Sequence, residues 1–127
     1  MRILAIMTMG ALGALARYEM SLLISTWMAR RESTFPLATL VVNVLGSFLL
    51  AVLVTLVAQK IVSDEWRFAL GIGFLGAFTT FSTFAVEAEE LAQRGEWTHA
   101  AFYIGGNLVL GIAAVVAGRM LALSWVR

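Results

Sequence analysis

Four apolar stretches, each long enough to cross a lipid bilayer as a helix, account for most of this 127-residue chain. A spanning helix needs about 20 predominantly apolar residues, and the sequence offers residues 3–27, 37–58, 68–86 and 100–123, joined by short polar loops. Hydrophobic residues make up 61% of the chain, which is more than a soluble core of this length can bury. The sequence therefore predicts an all-α membrane protein, a single four-helix domain over residues 1–127 whose outer surface contacts membrane lipid.

The composition argues against several kinds of partner and chemistry. The chain has no cysteine, so neither a disulfide nor a thiolate metal site is available. Its net charge of +1 offers no electrostatic surface for nucleic acid. The apolar run at the N-terminus continues past position 20 without a cleavage region, which indicates a retained helix rather than a signal peptide. No nucleophile–base pair or phosphate-binding loop is recognisable, so we expect no enzyme activity.

The basic residues predict the orientation of the chain only weakly. Four spans place both termini on one side of the membrane, and orientation follows the asymmetry of Lys and Arg between the two sides. One side has five basic residues and the other three: Arg2, Lys60, Arg67, Arg119 and Arg127 against Arg30, Arg31 and Arg94. This count fits either a chain with a modest preference or a chain that inserts both ways and pairs with an inverted copy of itself.

The third stretch contains an unusual segment, GFLGAFTTFSTF, at residues 73–84. Phe81 and Phe84 share one helix face, and Thr80 and Thr83 share a neighbouring one, because residues three apart are neighbours on a helix. The rings either pack or present their positive edges, which together with hydroxyl donors can solvate a small anion. The glycines either serve packing or interrupt the helix near Gly76, freeing backbone carbonyls that suit Na⁺.

Polar side chains elsewhere in the spans are further candidates, because polar groups inside a membrane are costly and mark function by default. Asn43 and Asn107 each either bond a neighbouring helix or present an amide donor to a pore. Arg17, about four turns into the first stretch, either holds an anion at a pore entrance or anchors to a headgroup or to backbone carbonyls. Glu87, just after the aromatic segment, can accept a hydrogen bond from a pore hydroxyl.

The segments GFLGAFTTFSTF, AVEAEEL, GALGALARY and LATLVVNVLGSF together resemble the Fluc fluoride channels, also called CrcB proteins. The resemblance covers essentially the whole chain. It implies a third helix that is broken in the middle of the membrane and an antiparallel, dual-topology homodimer of two inverted copies. It further implies two antiparallel pores that export toxic fluoride passively across the cell (inner) membrane.

The resemblance also implies roles for individual residues. Backbone carbonyls of Gly76 and Thr79 from both chains would hold a structural Na⁺ on the dimer axis. The fluoride pore would be lined by side chains from the second, third and fourth helices: Asn43, Thr80, Phe81, Thr83, Phe84, Glu87, Tyr103 and Asn107. Arg17 would lie in the vestibule at the pore mouth.

Two other functions compete with a fluoride channel. Small multidrug-resistance transporters also have four short spans and dual topology, and Glu19 offers the coupling carboxylate that a proton-coupled cation exporter needs. Arg17 lies close to it and opposes a cationic substrate. The third interpretation is a structural membrane subunit without transport activity, against which the polar residues within the spans argue.

Overall fold

The predicted set of four spanning helices is confirmed by the architecture of the chain. The structure is a computed structural model that describes residues 1–31 and 33–126. Helices long and apolar enough to cross a membrane cover Arg2–Ala29, Leu37–Ala58, Asp64–Gln93 and Trp97–Ser124. Of the basic residues that bear on orientation, Arg127 lies outside the described residues.

The third span is assembled from several helical segments. It begins with helix α3 (Asp64–Trp66), continues as a π-helix, π1 (Arg67–Leu75), and then as α4 (Gly76–Phe78) and α5 (Phe81–Gln93). The other three spans are single helices: α1 (Arg2–Ala29), α2 (Leu37–Ala58) and α6 (Trp97–Ser124). The third span extends beyond the predicted residues 68–86 at both ends, because polar and charged turns outside the apolar stretch are also helical.

Small residues bring the backbones of neighbouring helices into contact at two crossings. A Cβ atom at Gly13 of α1 would overlap the backbone of Phe74 in π1, and a Cβ at Gly118 of α6 would overlap the carbonyl of Phe48 in α2. In a membrane, helices associate through such close packing because lipid removes the hydrophobic drive between them. These crossings fix α1 against π1 and α2 against α6.

Polar contacts join the helix ends on the two sides of the domain. At one end, Arg2 forms an ion pair with Glu65, whose carboxylate lies 2.9 Å from the guanidinium. At the other end, Glu96 accepts from the Thr34 hydroxyl and lies 2.9 Å from His99 Nδ1. That hydrogen bond with His99 lowers the pKa of Glu96, which precedes α6 and lies outside the spans.

Helical geometry is interrupted between α4 and α5. Thr79 has a ψ angle of 159°, and Thr80 has φ and ψ angles of −152° and 118°. Both residues are therefore in extended backbone conformations within a stretch whose flanking residues are helical. Thr80 lies beside Asn43, about two turns into α2, so the interruption falls within the apolar part of the chain.

Candidate functional site

The extended pair Thr79–Thr80 is held by the side chain of Asn43. Its Oδ1 accepts from the Thr80 backbone N–H at 2.9 Å, and its Nδ2 donates to the Thr80 carbonyl at 3.1 Å. This orientation of the amide is dictated by chemistry, because the Thr80 N–H can only donate. Gly46, one turn further along α2, allows the approach, since a Cβ there would overlap the Thr79 methyl group.

The side chain of Thr80 begins the next helix, α5. Its Oγ1 accepts from the backbone N–H of Thr83 at 3.2 Å, which is the capping interaction expected of a threonine at this position. The same hydroxyl donates to Thr83 Oγ1 at 2.9 Å. The Thr80 hydroxyl therefore both donates and accepts a hydrogen bond within the protein. The hydroxyl proton of Thr83 is available to another acceptor.

A chain of hydrogen bonds continues from Asn43 across the fourth span to the third. Asn43 Nδ2 donates to Asn107 Oδ1 at 3.1 Å, and Asn107 Nδ2 donates to the Tyr103 carbonyl at 3.0 Å. The Tyr103 hydroxyl, in a fully buried side chain, donates to Glu87 Oε2 at 2.5 Å. Both N–H groups of Asn43 are thus engaged.

Four aromatic side chains, including that of Tyr103, form a row of neighbouring rings. The ring centroids of Phe81 and Phe84 are 5.6 Å apart, and those of Phe84 and Tyr103 are 5.5 Å apart. Phe35, just before α2, meets Tyr103 edge-on at 5.7 Å. The two phenylalanines differ in environment: Phe84 is half-buried against the cluster around Tyr103, whereas Phe81 is 78% exposed.

Two cavities have Thr80 in their lining. One, of about 240 Å³, is lined by side chains from α2 and the interruption: Asn43, Gly46, Ser47, Leu50, Thr79, Thr80 and Phe81. The other, of about 280 Å³, is lined by residues of α1, α2, the interruption and α5: Ala14, Arg17, Tyr18, Ser21, Thr39, Val42, Thr80 and Thr83. The 240 Å³ cavity is lined by amide, hydroxyl and aromatic groups without a formal charge. The 280 Å³ cavity is lined by hydroxyl groups and by one cationic group, Arg17.

Arg17, about four turns into the first span, lines a cavity together with residues of the second and third spans. It shares a cavity with Thr39, which belongs to the first turn of α2. Thr80 and Thr83 line the same cavity, so Arg17 lies near the interruption as well as near the first turn of α2.

Residues 4–119 match the protein family described as CrcB-like protein, Camphor Resistance (CrcB). This chain belongs to the CrcB family. It is 50% identical over 119 residues, 93% of this chain and 86% of the relative, to the protein named fluoride-specific ion channel FluC of Saccharophagus degradans. It is 49% identical over 112 residues, 88% of this chain and 84% of the relative, to the protein of the same name from Idiomarina loihiensis. A third relative of that name, from Agrobacterium fabrum, is 47% identical over 116 residues, 90% of each chain.

Membership of the CrcB family and four spanning helices identify this chain as a multi-pass membrane protein. The resemblance stated from the sequence is thereby confirmed at the level of the family. The predicted residues Asn43, Thr80, Tyr103, Asn107 and Glu87 are brought into one connected network, and Arg17 shares a cavity with Thr80 and Thr83.

Three serine and threonine residues of this CrcB protein join the site without having been predicted from the sequence: Ser21, Thr39 and Ser47. Their spacing carried a usable signal. Ser47 follows Asn43 by four residues and Ser21 follows Arg17 by four, and residues four apart lie on the same helix face. A hydroxyl one turn from a polar residue within a span is therefore a candidate for the same cavity.

Proposed function

We propose that this protein is a fluoride-selective channel that exports fluoride passively across the cell (inner) membrane. The observation that carries the proposal is the concentration of neutral donors and ring edges around Thr79 and Thr80, in a chain whose relatives are named fluoride-specific ion channels. A small anion is costly to desolvate unless donors replace its water. Conduction further requires that no site binds the ion too tightly for it to leave.

Each group has a distinct role in this proposal. Arg17 raises the local concentration of anions in the vestibule, because a positive group at a mouth attracts counter-ions. Beyond it, the Thr83 hydroxyl donates to the ion. The edges of Phe81 and Phe84 supply the positive side of the ring quadrupole. The hydrogen bond from Tyr103 to Glu87 holds α5, which carries Phe81, Thr83 and Phe84, against α6.

We propose that the working unit is an inverted homodimer with two antiparallel pores. Support comes from the exposure of Phe81, 78% in the single chain, and from cavities lined by polar groups on a surface that would otherwise face lipid. Non-helical backbone at membrane depth is tolerated only where protein or a water-filled cavity covers it, and a second copy provides that cover. The weak asymmetry of basic residues also fits insertion in both orientations.

Dual topology has a direct test. A tag at one terminus, assayed for accessibility in intact cells, should be reached from outside in part of the population and from inside in the rest. A single orientation for all molecules would contradict the inverted homodimer, but it would not contradict the proposed fluoride transport.

A structural Na⁺ is the remaining part of the proposal, with the carbonyls of Gly76 and Thr79 from two chains as its ligands. Carbonyl oxygens are suitable donors for a hard cation, and the helix is interrupted at these residues. Within residues 1–31 and 33–126, no group of three His, Asp or Glu side chains converges that would offer a competing site. Thorough removal of Na⁺, with no substitute cation, should therefore abolish activity; full activity would contradict the site.

The decisive experiment for the function is anion efflux from liposomes that contain only this protein. We expect rapid loss of trapped fluoride and retention of trapped chloride, with empty liposomes as the control. Equal efflux of fluoride and chloride would contradict the proposed selectivity for fluoride. Proton-linked exchange of a hydrophobic cation, with neither anion moving, would instead support the exporter that Glu19 suggests.

A further inference from the structure

Two backbone N–H groups at the interruption donate to side chains instead of continuing the helix. The Thr80 N–H donates to Asn43 Oδ1 at 2.9 Å, and the Thr83 N–H donates to Thr80 Oγ1 at 3.2 Å. Immediately before them, the helical pattern is intact, because the Thr79 N–H donates to the Leu75 carbonyl at 3.0 Å. The pattern therefore changes between one residue and the next.

The register of these two bonds identifies the carbonyls that they release. In an α-helix each N–H donates to the carbonyl four residues earlier. The Thr80 N–H would then pair with the carbonyl of Gly76, and the Thr83 N–H with the carbonyl of Thr79. Asn43 and Thr80 thus capture the donors that would otherwise occupy the two carbonyls assigned above to Na⁺.

We propose that the side chains of Asn43 and Thr80 are positioning residues for the cation site, which they form by keeping the Gly76 and Thr79 carbonyls free of helical donors. This inference rests on the proposed Na⁺ site. It assigns Asn43 a role different from that of a pore donor, and both of its N–H groups are already bound by protein. Gly46 supports the arrangement because it lets α2 approach closely enough for Asn43 to reach the backbone.

Thr80 offers a matched pair of variants. Thr80→Ser keeps the hydroxyl oxygen that accepts from Thr83, whereas Thr80→Val keeps the branched shape and removes that oxygen. In Thr80→Val the Thr83 N–H can return to the Thr79 carbonyl and compete with the cation. Loss of a group that orients a metal ligand typically costs about 10–100-fold in metal affinity. We expect a shift of that size for Thr80→Val and none for Thr80→Ser.

The measurement is the melting temperature of the detergent-solubilised protein over a series of Na⁺ concentrations at constant ionic strength, with a bulky organic cation as replacement. The concentration of Na⁺ that gives half of the stabilisation should be about 10–100-fold higher for Thr80→Val. A capping threonine with no relation to the cation would lower the melting temperature equally at every Na⁺ concentration. An unchanged half-saturating concentration in Thr80→Val would overturn the inference.

Asn43 gives a second, independent pair in case Thr80→Val does not fold. Asn43→Asp keeps an oxygen acceptor for the Thr80 N–H and loses the amide donors, whereas Asn43→Leu has a similar size and no acceptor. We expect the Na⁺ dependence to persist in Asn43→Asp and to weaken in Asn43→Leu. Equal Na⁺ dependence in the two would contradict the positioning role. A parent protein that does not respond to Na⁺ would instead refute the proposed cation site itself.

Discussion

The two halves of the third span are held in the molecule by different means. The first half, π1, lies against α1 with backbone touching backbone, because Gly13 faces the main chain of Phe74 and Gly73 faces that of Ile6. The second half, α5, is attached through side chains, by the capping bonds of Thr80 and the hydrogen bond from Tyr103 to Glu87.

This difference separates the residues that build the scaffold from those that carry the proposed chemistry. In the first half, glycines remove side chains and leave no room for an ion. In the second half, the hydroxyl groups of Thr80 and Thr83 and the ring of Phe81 line cavities. Substitutions in the first half should therefore affect folding, and those in the second should affect transport first.

The largest effect is expected for Gly13→Ala in α1, at the contact with the first half of the third span. The new methyl group would overlap the Phe74 backbone, which cannot move aside as a flexible side chain can. Overpacking typically costs about 1–3 kcal/mol, and we expect the upper end of that range as a lower melting temperature and reduced yield in detergent. Gly105→Ala is the matched control, because a Cβ there meets nothing within 4 Å. Equal behaviour of the two variants would show that the crossing at Gly13 is not close-packed.

The next effect concerns the two phenylalanines, whose environments differ within one helix face. Phe→Ile removes the ring edge at either position, so fluoride efflux should fall severely in both variants if the edges solvate the ion. Phe84→Ile should in addition lower stability by about 1–3 kcal/mol as a shape change in a packed cluster. Phe81→Ile should lower stability less than Phe84→Ile, because within the chain the Phe81 ring is 78% exposed. Near-normal efflux in both would refute the ring-edge mechanism, although the channel assignment would survive on other residues.

The same contrast shows how far the sequence alone leads. The four spans were predictable because hydropathy is a property of consecutive residues, and the common face of Phe81 and Phe84 followed from helical spacing. The bond from Asn43 to Asn107 joins residues 64 positions apart and depends on how two helices are rotated against each other. The cavity that Arg17 shares with Thr39 and Thr80 likewise depends on how three spans pack against one another.

A smaller loss is expected from the hydrogen bond that attaches α5 to α6. Tyr103→Phe keeps the buried ring and removes the hydroxyl, which leaves the Glu87 carboxylate without this donor. Leaving a buried polar group unpaired costs about 1–3 kcal/mol. Since Glu87 is only half-buried, we expect a loss near 1 kcal/mol, the lower end of that range. The double variant Tyr103→Phe with Glu87→Ala should show less than the sum of the single losses, because either single change already removes the one bond that the two groups share. Additive losses would mean that the pair is not coupled.

The smallest effect is expected at the ion pair that joins the beginnings of α1 and the third span. Arg2 and Glu65 bond at 2.9 Å, as Tyr103 and Glu87 do at 2.5 Å, but both of their side chains are about 60% exposed. Water solvates exposed charges and salt screens them, so such pairs contribute little. Glu65→Gln should therefore leave the melting temperature and fluoride efflux unchanged at physiological salt, and the comparison with Tyr103→Phe isolates the effect of burial. If Glu65→Gln lowered the melting temperature as far as Tyr103→Phe does, the contact between α1 and the first half of the third span would depend on charge as well as on close backbone packing.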